Sequence, residues 1–150
     1  MKYTFSLFKL SVLLFFFYSC TRPNEGINKE IQSSYIAING SDTAWLTLVT
    51  KGTTFKGKCI INFSNKYTDS GDVKGKIKGD TLLGDFHYSH YGLERDRKAF
   101  ALLRNKGNLV MGEGKQGVFL DIPYFEPGIP IRFDGVKFVF ENVNGIKQSK

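Results

Sequence analysis

The sequence predicts an all-β protein, an antiparallel up-and-down meander of eight or nine strands closing into a small lipocalin-like barrel. Three observations carry that reading. Lys51-Gly52, Lys78-Gly79 and Lys106-Gly107 start 27 and 28 residues apart, and each is followed, after four intervening residues, by another glycine (Gly57, Gly84, Gly112). Glycine tolerates positive φ, so Lys-Gly between two strand-like runs reads as a tight hairpin turn. A period near 27 then holds two strands and two connections, which brings all three turns to one rim of one sheet. The second observation is alternation: Val73, Gly75 and Ile77 against Lys74, Lys76 and Lys78 is the pattern of a half-buried strand. The third is composition, with 16 Gly, 4 Pro and 15% aromatic residues, which suits a turn-rich β protein.

Residues 1–19 are set aside as a leader. Met1-Lys2 and Lys9 give a basic start, residues 10–18 an apolar stretch shorter than the about 20 residues a spanning helix needs, and Ser19-Cys20 closes it. Residues 20–33 read as a polar tether and 34–150 as one domain. Within it, strands are expected over 34–39, 44–50, 53–63 and 73–78, with a polar loop at 65–72. Further strands follow over 81–88, 97–104 and 109–114, with a connection at 89–96, a short strand within 115–121 and a last one over 137–142. Counted from each turn glycine, the third, fifth and seventh positions are Phe55, Gly57, Cys59; Leu82, Gly84, Phe86; and Val110, Gly112, Gly114. Period two puts each set on one face, and the fifth-position glycine is expected to face inward, where a missing side chain lets the sheet bend toward closure.

Charge excludes little. The 21 basic and 14 acidic residues give +7, or +5 once Lys2 and Lys9 leave with the leader. The lysines are scattered through turns rather than gathered in one run, so a solvated surface is the plain reading and nucleic acid is not expected as a partner.

Candidate chemistry is sparse. His87 and His90, with Asp85, Glu94 and Asp96 near them, are metal-ligand types, but alternation turns His90 away from Asp85 and His87, so they read as rim histidines. Glu94-Arg95-Asp96-Arg97 reads as a polar cluster at a barrel mouth, with Arg95 and Arg97 on one side and the acids on the other; an inward Arg97 would need a carboxylate partner. Residues 121–134 hold three prolines, which bar them from a central strand. Their Tyr124 and Phe125 are too apolar for a solvated loop and are expected to cover an open barrel end or form a binding lip. Cys59 reads as a buried, inert thiol. No catalytic triad, phosphate loop, metal motif or cofactor motif appears, so catalytic residues, metal ligands and cofactors are each expected to be none.

The close of the leader at Ser19-Cys20 resembles a bacterial lipobox, and its Phe-rich form, with Phe17 and Tyr18 before it, is similar to lipoprotein signals of the Bacteroidota. Lys-Gly-Asp-Thr-Leu-Leu-Gly-Asp-Phe at 78–86, followed by 95–103 and Val-Met-Gly-Glu-Gly at 110–114, resembles small lipoproteins of the same group. The resemblance implies an acylated Cys20, a β domain and a cell-envelope address at the outer membrane facing the periplasm, and it implies no reaction. The resulting expectation is a non-catalytic binding lipoprotein that holds a small apolar ligand or a protein partner at one barrel end, through Tyr124, Phe125, Arg95 and Arg97. A surface-acting inhibitor or envelope assembly factor is the alternative, and a hydrolase or metalloenzyme using His87 is the third.

Overall fold

Alternating residues form ten strands: β1 (Glu30–Asn39), β2 (Asp42–Lys51), β3 (Thr54–Phe63), β4 (Tyr67–Lys78), β5 (Thr81–His90), β6 (Glu94–Asn105), β7 (Asn108–Met111), β8 (Gln116–Phe119), β9 (Ile122–Phe125) and β10 (Val139–Asn142). The computed structural model describes residues 29–90, 92 and 94–143; the leader, Cys20 and tether residues 21–28 lie outside the described residues. Eight strands close into a barrel in the order β1-β10-β7-β6-β5-β4-β3-β2, and β8-β9 forms a separate hairpin. Every barrel pairing is antiparallel. This is the expected meander, with an excursion between β7 and β10.

Several boundaries differ from the sequence reading. The expected connection at 89–96 is mostly strand, since β5 runs to His90 and β6 starts at Glu94, and the proline-bearing segment 121–134 contains β9. β1 begins at Glu30 and pairs with β2 from Glu30↔Lys51 onward, so residues 30–33 belong to the sheet rather than to a tether. The expected loop at 65–72 is mostly strand: β4 starts at Tyr67 and pairs with Phe63 across a three-residue turn. Polar residues such as Ser70 and Asp72 conceal this strand because they sit on its solvent side.

The three Lys-Gly turns do share one rim, but the third is offset. Lys51 pairs with Thr54 and Lys78 with Thr81, so Gly52-Thr53 and Gly79-Asp80 are the loop residues. Asn105 pairs with Asn108, so Lys106-Gly107 is the loop, and both residues have positive φ (50° and 89°), as a type I′ turn requires. A one-residue slip sends every side chain to the other face. In β7 it is therefore Leu109 and Met111 that join the core, not Val110 and Gly112 as the repeat suggested. A Cβ on Gly112 would lie 2.6 Å from both Ile131 and Phe133, so this glycine makes room for a packed segment rather than a bend.

Inside, Leu46, Cys59, Ile61, Val73, Leu82, Phe86, Phe100, Leu102 and Phe140 are the largest fully buried side chains. They meet in one cluster across the barrel axis, so the interior is filled rather than hollow. Outward positions carry Lys56, Lys58, Asp72, Lys74 and Lys76, all exposed. A lipid-spanning barrel alternates the opposite way, apolar out and polar in.

The inner face closes because glycines let backbones meet. Gly75 and Gly84 are cross-strand partners. A Cβ on Gly84 would lie 1.9 Å from the Lys74 carbonyl oxygen and 2.7 Å from the Gly75 Cα. Rigid backbone, not a mobile side chain, occupies the space. Gly84→Val is therefore expected to destabilise the domain by about 3 kcal/mol through overpacking, read as a lowered denaturant midpoint; an unchanged midpoint would mean that β4 and β5 do not pinch here.

Candidate functional site

β7 leaves the barrel wall at Gly112, whose N–H still donates to the Ala101 carbonyl. Beyond that point the edge of β6 has no strand beside it. Gln116 takes over: its carboxamide oxygen accepts from the Ala99 N–H at 2.8 Å, and its amide nitrogen approaches the Ala99 carbonyl at 3.5 Å. A side-chain amide thus stands in for a strand. That contact lays the β8-β9 hairpin on the outer wall, where Ala99 and Ala101 are buried beneath it. Segment 121–134 therefore packs on the side of the barrel, not over an open end.

Between this hairpin and β5 lies a cleft of about 450 Å³. Leu83, Ile122, Tyr124, Phe125, Ile129 and Ile131 supply most of its apolar lining, and Asp85 sits at its side. Asp85 is only 8% exposed although it points outward, and Arg97 holds it with an Nε to Oδ2 distance of 2.9 Å. That hydrogen bond raises the Arg97 pKa above its ordinary value. The same guanidinium donates to the Asp121 carbonyl at 3.5 Å, which ties β6 to the hairpin tip. Arg97 points outward and finds its carboxylate there.

Three of the four expected binding residues thus gather at one place: Tyr124 and Phe125 line the cleft and Arg97 braces it. Arg95 does not join them. It borders a polar groove with Lys58, Ser70, Asp72, His87 and Ser89. The hairpin tip beyond the cleft is unusually apolar for an exposed turn, with Phe119 68% and Leu120 79% exposed. Leu120 and Asp121 both have positive φ (48° and 60°), a conformation that costs a non-glycine residue about 1 kcal/mol or more.

A second cluster sits inside the barrel mouth opposite the Lys-Gly turns. Asp69, 4% exposed, accepts from or pairs with His90 Nδ1 at 2.6 Å and lies 3.6 Å from Lys98 Nζ. Lys98 also stands 4.7 Å from the Tyr88 ring centroid and 5.3 Å from that of Phe86, close enough for cation–π attraction. Tyr88 donates to Asp96 at 3.0 Å; burial first, then that carboxylate, push its pKa up to about 12. His87 and Asp85 lie on the outer wall and His90 inside, as alternation required. His90 is not a free rim histidine, because the buried Asp69 holds it. Among the described residues no three His, Cys, Asp or Glu side chains converge as metal ligands. Sequence reading missed Asp69 and Lys98. The signal for Lys98 was present, since it shares the parity of Phe100 and Leu102; Asp69 was hidden in the presumed loop.

No family model, curated protein or solved structure matches this chain.

Asp69→Ala is expected to cost about 3 kcal/mol, because it leaves the Lys98 ammonium inside the mouth without its carboxylate. The double variant Asp69→Asn with Lys98→Met should recover most of that loss in denaturant unfolding. Equal losses in the single and double variants would mean that the pair is not coupled.

Cys59 gives a pH prediction. Burial raises its thiol pKa from an ordinary 9.0 to about 12. A folded-state value above the unfolded one means that its contribution is intact below 9.0 and is lost as pH rises from there toward 12. Stability should decline over that window, and less steeply in Cys59→Ala; identical slopes would mean that the thiol ionises equally in both states.

Proposed function

We propose that this protein is a non-catalytic binding lipoprotein of a bacterial cell envelope, held through lipid on Cys20 at the outer membrane and facing the periplasm. On this reading it holds a small apolar ligand in the outer-wall cleft under the β8-β9 hairpin. The observation that carries the reading is the pairing of a filled interior with that cleft. Phe86, Leu102 and Phe140 have no exposed surface, so no water-sized space touches them and the middle of the barrel axis is filled. The cleft has the volume and the apolar lining, with one polar anchor, that small-molecule sites share. This supports a site on the wall rather than at a barrel end. Cys20 and the Bacteroidota-type leader supply the address.

A protein partner is the second reading. It is favoured by the hairpin tip, where Val118, Phe119 and Leu120 stay exposed on a strained turn. Large apolar side chains held in water at such a turn are a recognisable contact surface.

Native mass spectrometry of the protein purified from its own host's envelope separates the two. A ligand appears as added mass on the order of a few hundred daltons, released on denaturation and absent from Tyr124→Ala and Ile129→Glu variants. No adduct overturns the small-ligand reading. The partner reading then requires a cross-linked envelope protein that Phe119→Ser no longer captures.

A further inference from the structure

The three Lys-Gly turns have a consequence beyond topology. Six basic residues lie on or within two residues of them: Lys51 and Lys56, Lys76 and Lys78, Arg104 and Lys106, all exposed. The acids at this end are Asp80, in the second turn, Glu30, which pairs with Lys51 at 3.6 Å, and Glu141, which the β10–β7 register places opposite Asn108; Lys29 precedes Glu30. The rest of the described chain carries nine basic and ten acidic residues. The positive excess of the barrel is therefore concentrated on one rim. Among the described residues, only Lys51 of the six is ion-paired.

The chain enters the barrel at that same rim. Glu30, the first residue of β1, is the cross-strand partner of Lys51 beside the first turn. Nine residues separate it from Cys20, a reach of at most about 36 Å when extended. The opposite end is unlike it. Lys98 and Lys137 there are paired with Asp69 and Asp42, and the apolar hairpin tip lies beside Arg97, in the half of β6 remote from the turns.

We propose that the Lys-Gly rim is a docking surface for the anionic headgroups of a phospholipid bilayer, standing the barrel on the membrane with its hairpin and opposite mouth turned away. This rests on the lipid-anchored reading above. A lipid on Cys20 would attach the chain without orienting the domain, and a basic rim beside the point of attachment supplies the orientation through attraction to anionic headgroups. Lysines held by three separate hairpins form a ring rather than a run, which suits a flat charged surface. It also explains why the basic residues look scattered in the sequence.

The test uses the full chain as its host makes it, bound to vesicles of phosphatidylcholine with or without about 30% phosphatidylglycerol. Surface lysines are acetylated by a water-soluble reagent and quantified by mass spectrometry. Lys51, Lys56, Lys76, Lys78 and Lys106 should be labelled at least about 5-fold more slowly with the anionic lipid, and about 0.5 M salt should reverse this. Lys66 and Lys115, remote from the rim, should not change. Equal labelling of all lysines on vesicles that do hold the protein overturns the docking surface and leaves the anchor standing. Protection of Lys115 instead would put the hairpin side on the membrane and overturn the proposal. Protection by a soluble acidic polysaccharide but not by anionic vesicles would assign the rim to glycan and also overturn it. A protein that stays in solution with anionic vesicles at low salt overturns the docking surface and the anchored reading together.

Discussion

The structure depends on the close approach of backbones across the inner face of the sheet. An eight-stranded barrel has a small interior, and its strands must tilt and coil to close. At Gly57, Gly71, Gly75 and Gly84 an added Cβ would fall within about 2 Å of a carbonyl oxygen on the neighbouring strand. Those approaches bring β2 to β5 round tightly enough for Phe86, Phe100 and Phe140 to meet on the axis. Once they meet, the middle of the interior is full.

Closure is least regular between β6 and β7, and the candidate site grows there. β7 is four residues long against twelve in β6, so part of the β6 edge has no strand partner. An unpaired edge invites association with another chain. Here Gln116 meets it with a side-chain amide, and the β8-β9 hairpin covers the alanines beside it. Small residues on the outer face of β6 let the hairpin sit close, and the space left between hairpin and β5 is the cleft. Arg97, held by Asp85, donates to the Asp121 carbonyl at the hairpin's far end. Fold irregularity and candidate function thus share one cause.

The two ends of the barrel differ in how charge is treated. At the mouth, charge is drawn inside and matched: Asp69 faces His90 and Lys98, and Lys137 faces Asp42. The Lys137 and Ser64 hydrogen bonds hold the Asp42 carboxyl below its usual pKa. At the Lys-Gly rim, charge is mostly positive and left in solvent. In a free globule such a rim is mildly self-repelling. Against an anionic surface it is attractive.

Much of the fold was legible in the sequence, because the relevant signals are local. Turn glycines at a fixed period, and alternation in β2, β3, β4 and β5, determined a meander with Leu46, Leu48, Cys59, Leu82 and Phe86 on one face. The buried, inert state of Cys59 followed from the same alternation. Register did not follow, because the third Lys-Gly pair is spelled like the others but occupies different turn positions; only the pairing of Asn105 with Asn108 reveals which face of β7 is inside. Nor did the site. Tyr124, Phe125 and Arg97 were recognisable as unusual residues, yet their meeting place depends on a hairpin crossing two strands far away in sequence. Asp69 meets Lys98 only because β4 and β6 both border β5. Period and polarity are properties of a single strand, and the sequence determined those. Which strands lie side by side, which end collects the lysines and where an open cleft remains are properties of closure, and only the tertiary structure decided them.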